Sequence, residues 1–121
     1  MFGYGMPFQA KYVVWDKERC DVSHAAIDGV TTGGTIVSAV TSRRIVVLTI
    51  HGNLSIAGTV QLLSNATALT GAIGVGTAAG QINVDMNPTG AVKTAIGEPL
   101  NVTITGGGNL RGLIAYITPE T

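Results

Sequence analysis

From Thr35 to Thr118 the chain is a series of short apolar runs, each broken after about ten residues by turn chemistry, and this punctuation is what most narrows its fold. The runs are Thr35–Val40, Arg44–His51, Gly58–Leu63, Ala68–Gly74, Gln81–Met86, Val92–Ile96, Leu100–Thr105 and Leu110–Thr118. Between them lie Thr41-Ser42, Gly52-Asn53, Ser64-Asn65, Thr77 to Gly80, Asn87-Pro88-Thr89-Gly90, Gly97-Glu98-Pro99 and Gly106-Gly107-Gly108-Asn109. Gly, Asn and Pro supply the backbone angles of tight turns, so each break predicts a reversal of direction. In PLNVTIT, Leu100, Val102 and Ile104 alternate with Asn101, Thr103 and Thr105, the period of a strand with one buried face. RIVVLTIH is continuous instead, which predicts a central strand covered on both faces. The prediction is a single all-β domain of about eight strands, an antiparallel β-sandwich or a barrel.

The closing run alternates too. Leu110, Gly112, Ile114 and Tyr116 oppose Arg111, Leu113, Ala115 and Ile117, and the outer set is apolar enough to predict a subunit contact. Across residues 45–118 the only charges are Asp85, Lys93, Glu98 and Arg111. Residues 16–34 reverse this, holding Asp16, Lys17, Glu18, Arg19, Asp21 and Asp28, and are read as a connector with a short helical turn near Asp21 to Ile27.

The aromatic residues are placed unusually. The chain has two Phe, three Tyr and one Trp, and Phe2, Tyr4, Phe8, Tyr12 and Trp15 all fall in the first fifteen residues, leaving only Tyr116 elsewhere. Gly3, Gly5 and Pro7 oppose a regular element, so residues 1–15 are read as an extended amino-terminal arm. The domain division is therefore arm and connector over 1–34 and sandwich over 35–121. Five buried aromatics remove on the order of 1,000 Å² from water, up to about 25 kcal/mol. Ordering some fifteen residues costs about 15–30 kcal/mol, so one arm binds weakly and several arms on one rigid body are needed. Two readings follow: the arm docks on another chain, or it folds back to cap an open end of its own sandwich.

Charge and chemistry point away from other classes. The formal net charge is zero, with pI near 6.7, so no field favours nucleic acid or an anionic membrane. Mean hydropathy is +0.39, yet no apolar run approaches the roughly 18 residues that span a bilayer, and no secretory signal is read at the amino end. Cys20 is the sole cysteine, consistent with a reducing compartment, and the Asn-x-Ser/Thr triplets at Asn53, Asn65 and Asn101 are read as coincidence. Gly74-Val75-Gly76-Thr77-Ala78-Ala79-Gly80 fits a dinucleotide pattern on paper, but QINVDMNPTG after it alternates like a strand, whereas phosphate binding needs a helix there. His24 and His51 are isolated, Cys20 has no second cysteine, and neither a paired-carboxylate motif nor a nucleophile elbow occurs. The expectation is no enzyme, no cofactor, no metal, no nucleic acid and no membrane.

The residues resemble a known group. TIVSAVTSRRIVVLTIHGNLSIAGTVQLLSNATALTGAI followed by NPTGAVKTAIGEPLNVTITGGGNLRGLIAYI is similar to small β-rich virion proteins of tailed bacteriophages. The shared features are V-x-A-V-x-x-x-R-I-x-V, G-T-V-x-L-x-S, A-L-T-G, P-x-G-x-x-x-T-x-x-G-x-x-L-x-V and the closing G-x-x-x-Y, over roughly Thr35 to Ile117. The resemblance implies an eight-stranded jelly roll acting as a head decoration, or cement, protein. It implies a homotrimer on the capsid exterior, made in the bacterial cytoplasm, whose partners are the major capsid protein and itself. It brings no catalytic residues. Phe2, Tyr4, Phe8, Tyr12 and Trp15 are, on physical grounds, the expected protein-binding anchors; Arg43 and Arg44 are read either as a charged contact or as an exposed turn. Two other roles remain open at this stage: a tail, fibre or neck module of the same fold, and a host-glycan recognition domain.

Overall fold

The computed structural model describes residues 12–85 and 92–120. Among the described residues every regular element is a strand. In chain order these are β1 (Tyr12–Trp15), β2 (Glu18–Asp21), β3 (Ser23–Val30), β4 (Thr35–Val37), β5 (Val46–Leu54), β6 (Gly58–Ser64), β7 (Thr67–Ala68), β8 (Ile73–Val75), β9 (Gly80–Asp85), β10 (Leu100–Thr105) and β11 (Leu110–Ile117). One sheet runs β3-β11-β5-β9, and a second runs β4-β10-β6-β7 with β8 also paired to β6. A separate hairpin joins β1 to β2, and all these pairings are antiparallel. The result is an all-β, sandwich-like arrangement.

Alternation places the core. On β10, Leu100, Val102 and Ile104 are buried; on β6, Val60 and Leu62 meet them; from the other sheet come Ile27, Val47, Ile50, Leu54, Ile82, Leu110 and Ile114. The side chains are almost all branched aliphatics, which pack well on a pleated surface. Among the described residues Tyr116 is the one aromatic against this cluster, and it is only partly buried. The loop before β10 is pinned to the core edge through buried Ser64, whose hydroxyl donates to the Glu98 carboxylate at 2.5 Å and accepts the Ala95 N–H at 2.9 Å.

β5 explains its own composition. Ala115 pairs with Thr49 but Tyr116 pairs with Val47, so Leu48 is an extra residue in the ladder, a β-bulge. Through it, Val47 and Ile50 face the sandwich core while Val46 and Leu48 face outward. All five residues from Val46 to Ile50 are buried, and the strand is central and covered on both faces as expected. The outer cover is the β1–β2 hairpin: Cys20, Val46, Leu48, Ala115 and Ile117 form a second buried cluster, with Val13, Trp15 and Val22 packed against it.

The structure departs from the sequence reading in several places. Eleven strands, not about eight, are present among the described residues. The segment read as a charged connector forms β2 and β3, with no helical turn at Asp21 to Ile27, because its charges alternate with inward-facing Cys20, Ala25 and Ile27. β3 is an edge strand of the four-stranded sheet, so the sandwich takes in residues before the boundary expected at 34/35. The Ala68–Gly74 run divides into β7 and β8. Among the described residues Val92–Ile96 makes one bridge, Val46 to Lys93, flanked by Val47 N–H to Val92 O and Thr94 N–H to Ile45 O, both 2.9 Å. Gly52-Asn53, read as a turn, lies inside β5 opposite Gly112-Arg111. There Gly112 has φ of +153°, and a Cβ on it would overlap the His51 carbonyl, so the two strands approach more closely than side-chain-bearing residues permit. The turn read at Asn87 to Gly90 lies outside the described residues.

Candidate interaction surface

The β1–β2 hairpin is built on a register of Tyr12 to Asp21, Val13 to Cys20, Val14 to Arg19 and Trp15 to Glu18. Its turn is Asp16-Lys17, both with positive φ, +47° and +69°, the geometry that matches strand twist in a two-residue hairpin. With a period of two, Val13, Trp15 and Cys20 turn toward the outer cluster and Tyr12, Val14, Arg19 and Asp21 turn away. Tyr12 is 48% exposed and Val14 62%. The Arg19 guanidinium lies 4.2 Å from the Tyr12 ring centroid, and the Lys93 ammonium lies 5.6 Å from that of Trp15.

Arg43 holds the hairpin in place. Its guanidinium donates to the Thr118 carbonyl at 2.9 Å and lies 3.7 Å from the Glu18 carboxylate and 3.8 Å from that of Glu120. Glu18 also accepts the Glu120 backbone N–H at 3.0 Å. One side chain thus ties β2, the segment before β5 and the segment after β11. Beneath the hairpin, burial raises the pKa of the Cys20 thiol, with the neighbouring Glu18 carboxylate adding to the effect.

The five expected anchors separate. Phe2, Tyr4 and Phe8 lie outside the described residues. Trp15, expected in a groove of another chain, instead packs on its own sheet, where Val46, Leu48, Ala115 and Ile117 offer the apolar surface that the sequence reading assigned to a subunit contact. Tyr12 faces outward. Of that apolar outer set on β11, only Leu113 stays exposed, at 40%.

Sequence reasoning did not find a second feature of the same outer face. Past the hairpin, β9, β5 and β11 bring together Gln81, Asn83, His51, Asn53 and Arg111, which with Gly52 and Gly112 line an open groove of about 470 Å³. His51 pairs with Asn83, Asn53 with Gln81, and Arg111 with Asn53. His51 Nδ1 and Asn83 Oδ1 are 2.8 Å apart. The only sequence signal was a set of polar residues at outward strand positions, which any solvated sheet face shows.

Gly74 to Gly80 connects β8 to β9, a strand-to-strand link without a helix behind it. Among the described residues no group of three or more His, Cys, Asp and Glu side chains is placed to hold a metal ion, and no helix is long and apolar enough to cross a membrane. Comparison with family models, with curated proteins and with solved structures finds no match to this chain.

Proposed function

We propose that this chain is a structural virion protein, a capsid decoration protein that binds the major capsid protein of a tailed phage as a trimer and stabilises the head. The observation that carries the reading is the outward face of the β1–β2 hairpin. Tyr12 and Val14 are displayed there on a rigid two-stranded support, at the root of a segment holding Phe2, Tyr4 and Phe8. Rigidly presented aromatic and aliphatic groups are what dominates binding at protein interfaces.

The strand order supports the fold half of the proposal. Counting β7 and β8 as one strand and setting the hairpin aside, the sheets β3-β11-β5-β9 and β4-β10-β6-β7/β8 have the order that two Greek keys give in an eight-stranded jelly roll. The mechanism is mechanical. A trimer bridging shell subunits adds interface that must be broken before capsomers separate, and binding only the assembled state stabilises that state by mass action.

The test is deletion of residues 1–11, which leaves the hairpin and its inward residues intact. Circular dichroism reports folding, co-sedimentation with empty heads assembled from the cognate capsid protein reports binding, and light scattering gives the copy number. A folded trimer that no longer sediments with heads is the expected result. Undiminished sedimentation, or loss of folding, overturns the docking role of the arm. Six or twelve copies in the full-length protein overturn the shell clamp in favour of a ring at the tail axis.

A further inference from the structure

The outer face of the four-stranded sheet changes character along its length. Under the hairpin it is aliphatic; past the hairpin, three adjacent strands present amides, an imidazole and a guanidinium. We propose that this second region binds an acidic saccharide, with the ligand's carboxylate on Arg111 and its hydroxyl groups on Asn53, Gln81 and Asn83.

The groove has the size and the chemistry for it. Its volume of about 470 Å³ lies within the range of roughly 300–1,000 Å³ found for small-molecule sites. Adjacent strands stand about 4.8 Å apart, and same-face residues on one strand about 6.8 Å, so Gln81, Asn53 and Arg111 form one row and Asn83 and His51 the next. A ring bearing several hydroxyls can reach both rows at once. Each primary amide offers donors and an acceptor in one plane, the match for a hydroxyl that both gives and takes a hydrogen bond. The contact between His51 and Asn83 fixes two of these side chains before a ligand arrives, which lowers the ordering cost of binding.

Arg111 sets the charge of the ligand. Its guanidinium runs across Gly29 of β3, where a Cβ would stand 3.9 Å from Nε, and it has no ion-pair partner among the described residues. An exposed guanidinium fork matches a carboxylate in two parallel hydrogen bonds. Asn53 and Gln81 likewise have no side-chain hydrogen-bond partner among the described residues. Leu113, exposed beside His51 in the ladder, supplies apolar surface for the C–H face of a sugar ring.

An acidic peptide fits less well. Extended peptides are recognised through main-chain bonds at a sheet edge, with pockets for alternate side chains. This groove runs across the face of three strands and not along the edge of β9, its lining is polar side chains and glycines with no pocket for an apolar side chain, and Leu113 is exposed only beside it. The inference does not depend on the virion reading, and its test uses no phage heads.

The full-length protein, labelled with ¹⁵N, would be titrated with an oligosaccharide of glucuronic acid, with its carboxyl-reduced neutral form, and with an oligoglutamate peptide. Saturable shifts of the amides at 51–53, 81–83 and 110–113 with the acidic sugar are expected. R111M is expected to weaken binding about tenfold or more, since one charge-assisted pair is lost, and reduction of the sugar's carboxyl to do the same to the wild type. R111K retains the charge without the fork and falls between. No saturable shift, shifts centred on the hairpin, an R111M protein that binds like wild type, or equal binding of the peptide would each overturn the proposal. Because Arg111 is exposed and has no ion-pair partner among the described residues, R111M keeps the wild-type fold, which the same spectra verify.

Discussion

Replacing Trp15 with Ala is expected to destabilise the fold, whereas replacing Tyr12 on the same strand is not. Trp15 packs against a cluster containing Val46, Leu48, Ala115 and Ile117, all fully buried. A completely buried Trp truncated to Ala costs about 3–5 kcal/mol. Trp15 retains some exposure, and the unfolded chain already hides part of its ring, so about 2–3 kcal/mol is the reasonable loss. For a chain of this length that corresponds to a fall in Tm of about 10 °C. Tyr12 is nearly half exposed, and its contact with Arg19 is a surface one, so Y12A should cost no more than about 1 kcal/mol. The assay is thermal and urea unfolding followed by circular dichroism, because Trp15 is the only Trp and its removal abolishes the fluorescence signal. If W15A unfolds within about 0.5 kcal/mol of the wild type, or Y12A costs as much as W15A, the hairpin does not cover the sheet in the way described.

Two further outcomes follow from local geometry. G112A puts a methyl group into the His51 carbonyl at a positive φ and is expected to cost about 3 kcal/mol or more, while G97A, at φ +80° with open space around it, should cost only about 1 kcal/mol; equal urea midpoints for the two would refute the close-approach argument. The Cys20 thiol, held protonated first by burial and then by Glu18, should react with a thiol reagent at about pH 8 at least tenfold more slowly in the folded protein than in urea. Because its folded pKa is raised, the associated stability is fully present below the unfolded thiol's pKa and is lost as pH rises through the folded value, so the midpoint should fall in that alkaline window and fall less in C20A. Equal labelling rates would refute the burial.

The strands from residue 35 onward were readable because each carries its evidence locally. The alternation of Leu100, Val102 and Ile104 and the unbroken RIVVLTIH needed no knowledge of their partners, and both behave as expected. The β1–β2 hairpin was hidden by its turn: Asp16-Lys17 adopts positive φ without the Gly that usually announces it, and the charges beside it masked the inward Cys20. Gly52-Asn53 misled in the opposite sense, since that Gly serves a close strand pairing and not a reversal. Trp15 and Tyr12 were both identified as unusual, but which of them faces inward depends on a packing between residues 13–22 and residues 46–48 and 115–117 that no local pattern encodes. The polar groove was equally illegible, because its rows come from three segments joined only by sheet register.

Arg43 and Glu18 bind the segment that follows β11, and β11 itself forms half of the floor under Trp15 and Val13. On a ribosome, this hairpin emerges before its seat is complete, since residues some hundred positions later finish it. At about 5–20 residues per second, Val13 and Trp15 therefore wait several seconds with nothing of their own to settle on. During that interval the nascent chain presents an uncovered apolar hairpin face, open to holdase chaperones or to sister chains on the same messenger.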